Sequence, residues 1–277
     1  MKRYALTLKL FWSTAIAAEM EYRANFVLAA LQSLGALGGA ILVLWSLFRT
    51  GYEMGGWSWP QALLVVAAYT VLDGFQATVL APNREQVGEM VREGSLDFVL
   101  LKPIDTQFWL STRKLRIWGL PNLLLGLALA VFALTQLYQT PANPLTAEPG
   151  DIAVGQVFLA LLRFILPMTL GIVILYALGY ILSTVTVWFV KMNNITTAMQ
   201  ALLEAGRYPV TAYPHAYRVF FTFILPVAFM TTVPAQFVIG QVGGATLAVA
   251  SAIALGLLGV ARLFWRFALH YYTSASS

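Results

Sequence analysis

The stretch FVLAALQSLGALGGAILVLWSLF, residues 26–48, carries no charge over 23 residues, with Arg23 before it and Arg49 after it. At ~1.5 Å per residue a helix of that length crosses the ~30 Å hydrocarbon core of a bilayer. The same test applied outward finds more such runs. Residues 60–81 form a second, interrupted only by Asp73, and 117–138 a third. The run 157–190 is too long for one upright crossing, and Arg163 and Pro167 divide it into an interfacial lead-in and a span over 164–190. A fifth span is expected over 219–233 and a sixth over 243–264. Pro226 and Pro234 free backbone groups that lipid cannot satisfy, so both should lie against protein or a cavity, and 234–243 reads as a re-entrant outer segment. The expected fold class is an all-α polytopic membrane protein of six transmembrane helices.

Composition agrees. Of 277 residues, 59% are hydrophobic and 10% charged, with a mean hydropathy of +0.74. Soluble domains carry ~25% charge, and disordered chains need low hydrophobicity, so both classes are excluded. Residues 1–277 read as one transmembrane domain. Fifteen of the 17 Lys and Arg fall on one side of the six-span topology, which makes that side, and both termini, cytoplasmic. Residues 1–24 place Tyr4, Leu8, Phe11, Trp12 and Ala15 on one helical face with Lys2 and Lys9 opposite, as in a helix lying in the membrane interface.

The inner loop 82–116 is the longest charged segment, with eleven ionised residues between Arg84 and Arg116. Asn83 and Gln86 match a capping box, and Val87, Met90 and Val91 form an apolar stripe among Arg84, Glu85, Glu89, Arg92 and Glu93. Gly94 suits a left-handed helix end. Asp97 then opens a short apolar knuckle, with Leu96, Phe98, Val99, Leu100 and Leu101, which Pro103 stops. This pattern predicts a docking helix. A second inner segment, 191–217, offers a helix over 195–205 capped by Asn194, equally consistent with a docking or a plain interfacial role.

Catalytic and ligand-binding motifs are missing. No Lys follows a Gly, so there is no phosphate-binding loop, and no two of the 21 glycines have the dinucleotide-binding spacing. The chain has no cysteine, and only His215 and His270, which gives no expectation of a metal site. Its basic residues lie at membrane edges, which suits anionic lipid and not nucleic acid. Within the spans, Asp73, beside Gln76, is the single acidic residue and a candidate for a translocation or gating surface together with Pro226 and Pro234. Gly35 and Gly39, with Gly256 and Gly259, suit close helix packing.

One stretch is more specific. Val91-Arg92-Glu93-Gly94-Ser95-Leu96-Asp97-Phe98-Val99-Leu100-Leu101-Lys102-Pro103-Ile104 resembles the R-x-G-x-L-D-x-x-L-x-[KR]-P segment in permease subunits of ATP-binding-cassette exporters of the second type, bacterial six-span branch. Leu80-Ala81-Pro82-Asn83, Gly55-Gly56-Trp57-Ser58, Leu225-Pro226-Val227 and Val233-Pro234-Ala235 are also similar to that family. The resemblance implies a permease in the bacterial plasma membrane, binding no cofactor itself. ATP and Mg would sit on a separate soluble ATPase subunit, and the permease would pair with an identical or paralogous copy. It implies coupling to the ATPase through Arg84, Val87, Glu89, Met90, Val91, Arg92, Glu93, Gly94 and Asp97. The substrate would be hydrophobic or amphipathic: a drug, a lipid or a lipid-linked glycan. The competing expectation is a non-transporting membrane scaffold or assembly factor that binds a cytoplasmic partner through the same loop. An intramembrane enzyme is the weakest reading.

Overall fold

The computed structural model describes residues 2–20, 23–52, 54–139, 154–189 and 195–272, and all regular structure among them is helical. In chain order the helices are α1 (Lys2–Glu19), α2 (Arg23–Arg49), α3 (Trp59–Phe75), α4 (Ala81–Glu93), α5 (Asp97–Leu100), α6 (Thr106–Thr112), α7 (Leu120–Gln139) and α8 (Val154–Thr184). They continue with α9 (Ile195–Glu204), α10 (His215–Val219), α11 (Val227–Met230), α12 (Thr232–Val238) and α13 (Gly244–Tyr271). Five segments are long and apolar enough to cross a membrane: Ala24–Arg49, Trp59–Glu93, Ile117–Tyr138, Gly155–Val187 and Gly244–Tyr271. Between them they turn large apolar side chains outward, among them Leu31, Leu42, Leu124, Ile165, Leu255 and Leu263. Water would not tolerate so much continuous apolar surface, and lipid does.

The centre of the bundle is the pair α3–α7. An added Cβ on Gly126 would come 2.6 Å from the Val71 nitrogen, and one on Gly119 2.6 Å from the Gly74 carbonyl oxygen. Pairing 71 with 126 and 74 with 119–123 makes the two helices antiparallel at near backbone contact. By contrast, nothing lies within 4 Å of a Cβ on Gly35, Gly39, Gly256 or Gly259, so these glycines do not pack helices within the chain.

Several boundaries differ from the sequence expectation. The second span and the docking helix form one rod. α3 runs through a π-helical turn (Gln76–Leu80) directly into α4, and the whole, Trp59–Glu93, is about 52 Å long. Asn83 therefore caps nothing. Its amide donates to the Val79 and Lys114 carbonyls and accepts from the Lys114 N–H, stitching the rod to the chain entering α7. The capping box forms instead at Ser58 and Gln61, where α3 begins. α8 is likewise continuous from Val154 through Pro167 to Thr184, with no separate lead-in.

The largest difference is the fifth crossing. Residues 219–233 make no continuous helix: α10 and a π-helical turn (Phe220–Ile224) end at an extended Leu225, and α11 and α12 follow as two short helices. Pro226 separates the π-helical turn from α11, whereas Pro234 lies inside α12 and the second break falls at Thr231. The chain upstream lies along α3 instead. Gln200 bonds Asp73, Glu204 and Arg207 meet Tyr69, and Thr211 accepts from the Trp57 indole, so residues 200–211 run antiparallel to α3 toward its tryptophan end. α11 and α12 then pack at that half of the bundle. Val227 and Thr231 close on Gly206, and Met230 lies against Gly171 of α8. The short helices at this end thus cover 227–238, and Gly240–Gly243 leads into α13. The Asn194 cap and the loop joining α7 to α8 lie outside the described residues.

Candidate functional site

Two regions hold candidate functional side chains, one at the charged end of the α3–α4 rod and one near its middle. At the charged end α4 stops at Gly94, whose φ of 70° is the left-handed conformation glycine adopts without strain. The Leu96 N–H then donates to the Met90 carbonyl at 3.3 Å, turning the chain into α5. The apolar stripe of α4 faces inward. Val87 and Val91 are 1% and 5% exposed, in a core with Leu96, Val99, Trp109, Tyr180 and Trp265, and Met90 packs at its edge. Arg84 is buried as well. Of the residues expected on a docking surface, Glu89, Arg92 and Glu93 are exposed, and Gly94 and Asp97 half-buried at the turn. The apolar side chains that project are Phe98, 70% exposed, and Leu101, 82% exposed.

This tip is braced from below. Asp105 caps α6 by accepting from the Phe108 N–H at 2.9 Å, and its carboxylate pairs with Arg262 of α13. The Arg262 hydrogen bond, helped by that cap, holds the Asp105 carboxyl below the usual range against the opposing effect of burial. Arg113 and Lys102 lie 4.3 and 4.9 Å from the Trp109 ring centre. α1 is fixed to the same helix: the Trp12 indole donates to the Thr112 carbonyl at 3.2 Å, and the Tyr4 and Phe11 rings meet Phe108 and Trp109 edge-on.

The second region lies along the rod toward its other end. Asp73 accepts hydrogen bonds from Asn122 at 2.5 Å and Gln200 at 2.9 Å, and the Gln76 amide donates to Gln200 at 3.1 Å. One turn away the Tyr69 hydroxyl donates to Glu204 and accepts from Arg207, both at 3.0 Å, while Arg207 and Glu204 pair at 2.5 Å. Asp73 and Gln76 flank the start of the π-helical turn, a distortion that recurs at functional positions. Two adjoining cavities, of about 140 and 400 Å³, open along this cluster, and Ser33, Ala36, Asn122 and Gln200 line both. Pro226 and Pro234 do not line these cavities; both are buried, Pro226 just before α11 and Pro234 inside α12.

The sequence singled out Asp73 and Gln76 but missed their partners. The signal was there in spacing. Tyr69, Asp73 and Gln76 recur at i, i+4 and i+7 along the rod, and Gln200, Glu204 and Arg207 share that spacing, the first two on α9 and Arg207 in the turn that follows it. Two such sets meeting antiparallel satisfy each other, which is the condition for polar groups to lie within a membrane. No group of three or more metal-ligating side chains occurs among the described residues.

The architecture and the two regions define a multi-pass helical membrane protein with a polar cluster inside the bundle and a structured charged end. The family model for ABC-2 family transporter protein matches residues 34–276, and the chain belongs to that family, a membrane subunit of an ATP-binding-cassette transporter. No curated protein and no solved structure matches it.

Proposed function

We propose that this chain is the permease subunit of an ATP-driven exporter, paired with an identical or paralogous copy and driven by a separate ATPase that binds ATP and Mg. One observation carries the reading: a single helical rod, Trp59–Glu93, joins the polar cluster at Asp73 to the exposed tip at Phe98 and Leu101. The tip docks the ATPase. Phe98 and Leu101 enter a groove on it, and Arg92, Glu89 and Glu93 set the register by charge. Val87, Met90 and Val91 act one step back, tying the tip to α8 and α13, and Asp97 and Gly94 fix its angle.

When the ATPase closes on ATP, the tip moves and the rod transmits that motion to the π-helical turn. A π turn holds an extra residue, so it can shift register at small cost. Such a shift moves Asp73 and Gln76 relative to Asn122 and Gln200 and reshapes the cavities against α2. An amphipathic substrate, a drug, lipid or lipid-linked glycan, would set its polar part on the Asp73 cluster and its apolar part along α2. The charged end and both termini face the cytoplasm across the bacterial inner membrane, with lipid headgroups around Arg113, Lys114 and Arg116.

The test is to solubilise native membranes in mild detergent, purify this chain and identify what accompanies it. A stoichiometric ATPase of about 25–40 kDa, the size of one or two compact domains, is expected. A non-ATPase partner in its place would favour an assembly scaffold.

A further inference from the structure

A polar groove of about 580 Å³ lies between α1, α4 and the chain leaving α6. That volume is within the ~300–1,000 Å³ of ordinary small-molecule sites. α4 brings Glu89 and Glu93 to it, and Arg113 and Lys114 stand on the side of the chain leaving α6. With Glu19 and Arg116 the lining holds three carboxylates and three cations, so it offers both signs of charge and no net charge. Their pairing is loose. Lys114 meets Glu89 only at 3.7 Å, with both side chains about half-exposed, and Glu93 has no ionic partner among the described residues. Arg113 rests on the Trp109 ring, 4.3 Å from its centre, instead of on a carboxylate.

Charges so exposed are satisfied by water alone; the position of the groove gives them a further role. α1 faces it with Phe11, Ala15 and Ala18, an apolar wall. The opposite face of α1 turns Leu6, Leu10, Ile16 and Met20 outward, all exposed, as in a helix lying at headgroup depth. We propose that one zwitterionic phospholipid with a primary ammonium, of the phosphatidylethanolamine type, seats its headgroup in this groove. Its phosphate meets Lys114 and Arg113, its ammonium meets Glu89 and Glu93, and its first methylenes lie against Phe11, Ala15 and Ala18. An anionic lipid is drawn to basic clusters, whereas here carboxylates equal the cations. A primary ammonium has three N–H groups to give the carboxylates, and the quaternary ammonium of choline has none. The bound lipid ties α1 to α4 and so braces the tip from the membrane side, whatever partner the tip engages.

Native mass spectrometry of the full chain in detergent, with dioleoyl lipids added one at a time, tests this. Phosphatidylethanolamine is expected to bind at a single tight site, about tenfold more strongly than phosphatidylcholine or phosphatidylglycerol. Glu89→Gln with Glu93→Gln alters exposed side chains and keeps the fold, and is expected to make phosphatidylethanolamine bind no better than phosphatidylcholine. Lys114→Gln is expected to weaken both lipids and leave their ratio unchanged. Equal binding of the two by the wild type, stronger binding of phosphatidylglycerol, or a preference that survives the double variant overturns the site. If the double variant does not fold, Glu93→Gln alone decides: a reduced preference supports the site and an unchanged one overturns it. Free glycerophosphoethanolamine, without acyl chains, should not compete at the lipid concentrations used; competition would give the groove to a soluble ligand and overturn the lipid. Lipid bound to the isolated chain but absent from its complex with a cytoplasmic partner would give the groove to that partner, and overturns the proposal as well.

Discussion

Asp73 shows how one residue can be read in the sequence while its setting cannot. A carboxyl in an apolar run must find donors, but nothing in the run names them. Asn122 and Gln200 lie 49 and 127 residues downstream and come together only because α7 and the 200–211 strand of chain flank α3. Removing the acceptor leaves two half-buried donors without their partner, at a cost of about 1 kcal/mol or more. Asp73→Ala should therefore lower the melting temperature in detergent by several degrees. Asp73→Asn, which keeps one carbonyl acceptor, should lower it less. Asp105 gives a prediction of opposite location and simpler chemistry. Its carboxyl titrates below the usual range, so its stabilisation is present above the ordinary carboxylate value, about 3.9, and is lost as pH falls through the lowered folded value. The melting temperatures of wild type and Asp105→Asn should differ at neutral pH and converge on acidification. Because the pair is about one-third exposed, the difference at neutral pH should be small and should shrink with added salt.

At the scale of elements, the long uncharged spans were legible because hydropathy over ~20 residues has one physical meaning in a membrane. The knuckle after Gly94 was legible too, since a left-handed helix end and a proline stop act locally. What could not be read was which way an amphipathic helix faces. The stripe Val87, Met90 and Val91 looks the same whether it meets a partner subunit or the bundle, and the bundle takes it. The segment 195–204 misled for a related reason. It was expected as a docking or interfacial helix over 195–205, whereas its Gln200 and Glu204 meet Asp73, Gln76 and Tyr69 of the rod. The difference has consequences for mutagenesis. Val91→Asp buries an unpaired carboxylate and should prevent folding, seen as loss of the monodisperse peak in detergent. Phe98→Asp with Leu101→Asp changes two exposed side chains and should leave that peak and the melting temperature within about 1–2 °C of wild type.

At the scale of the whole molecule, the run of residues 200–211 along α3 carries Arg207 toward the Trp57 end of the bundle, away from the charged tip. The chain has no cysteine, so single cysteines can be introduced into the natural sequence and labelled in intact cells. Tyr217→Cys should react from the same side as Tyr52→Cys, and Ser95→Cys only after the membrane is opened. Labelling of residue 217 together with residue 95 would restore a span at 219–233. The central claim, that the tip at Phe98 and Leu101 carries force between an ATPase and this permease, is tested most directly by ATP hydrolysis in the purified complex. The account predicts that Phe98→Asp with Leu101→Asp abolishes permease-dependent ATP hydrolysis while the permease itself remains folded; hydrolysis at the wild-type rate in that double variant would contradict it.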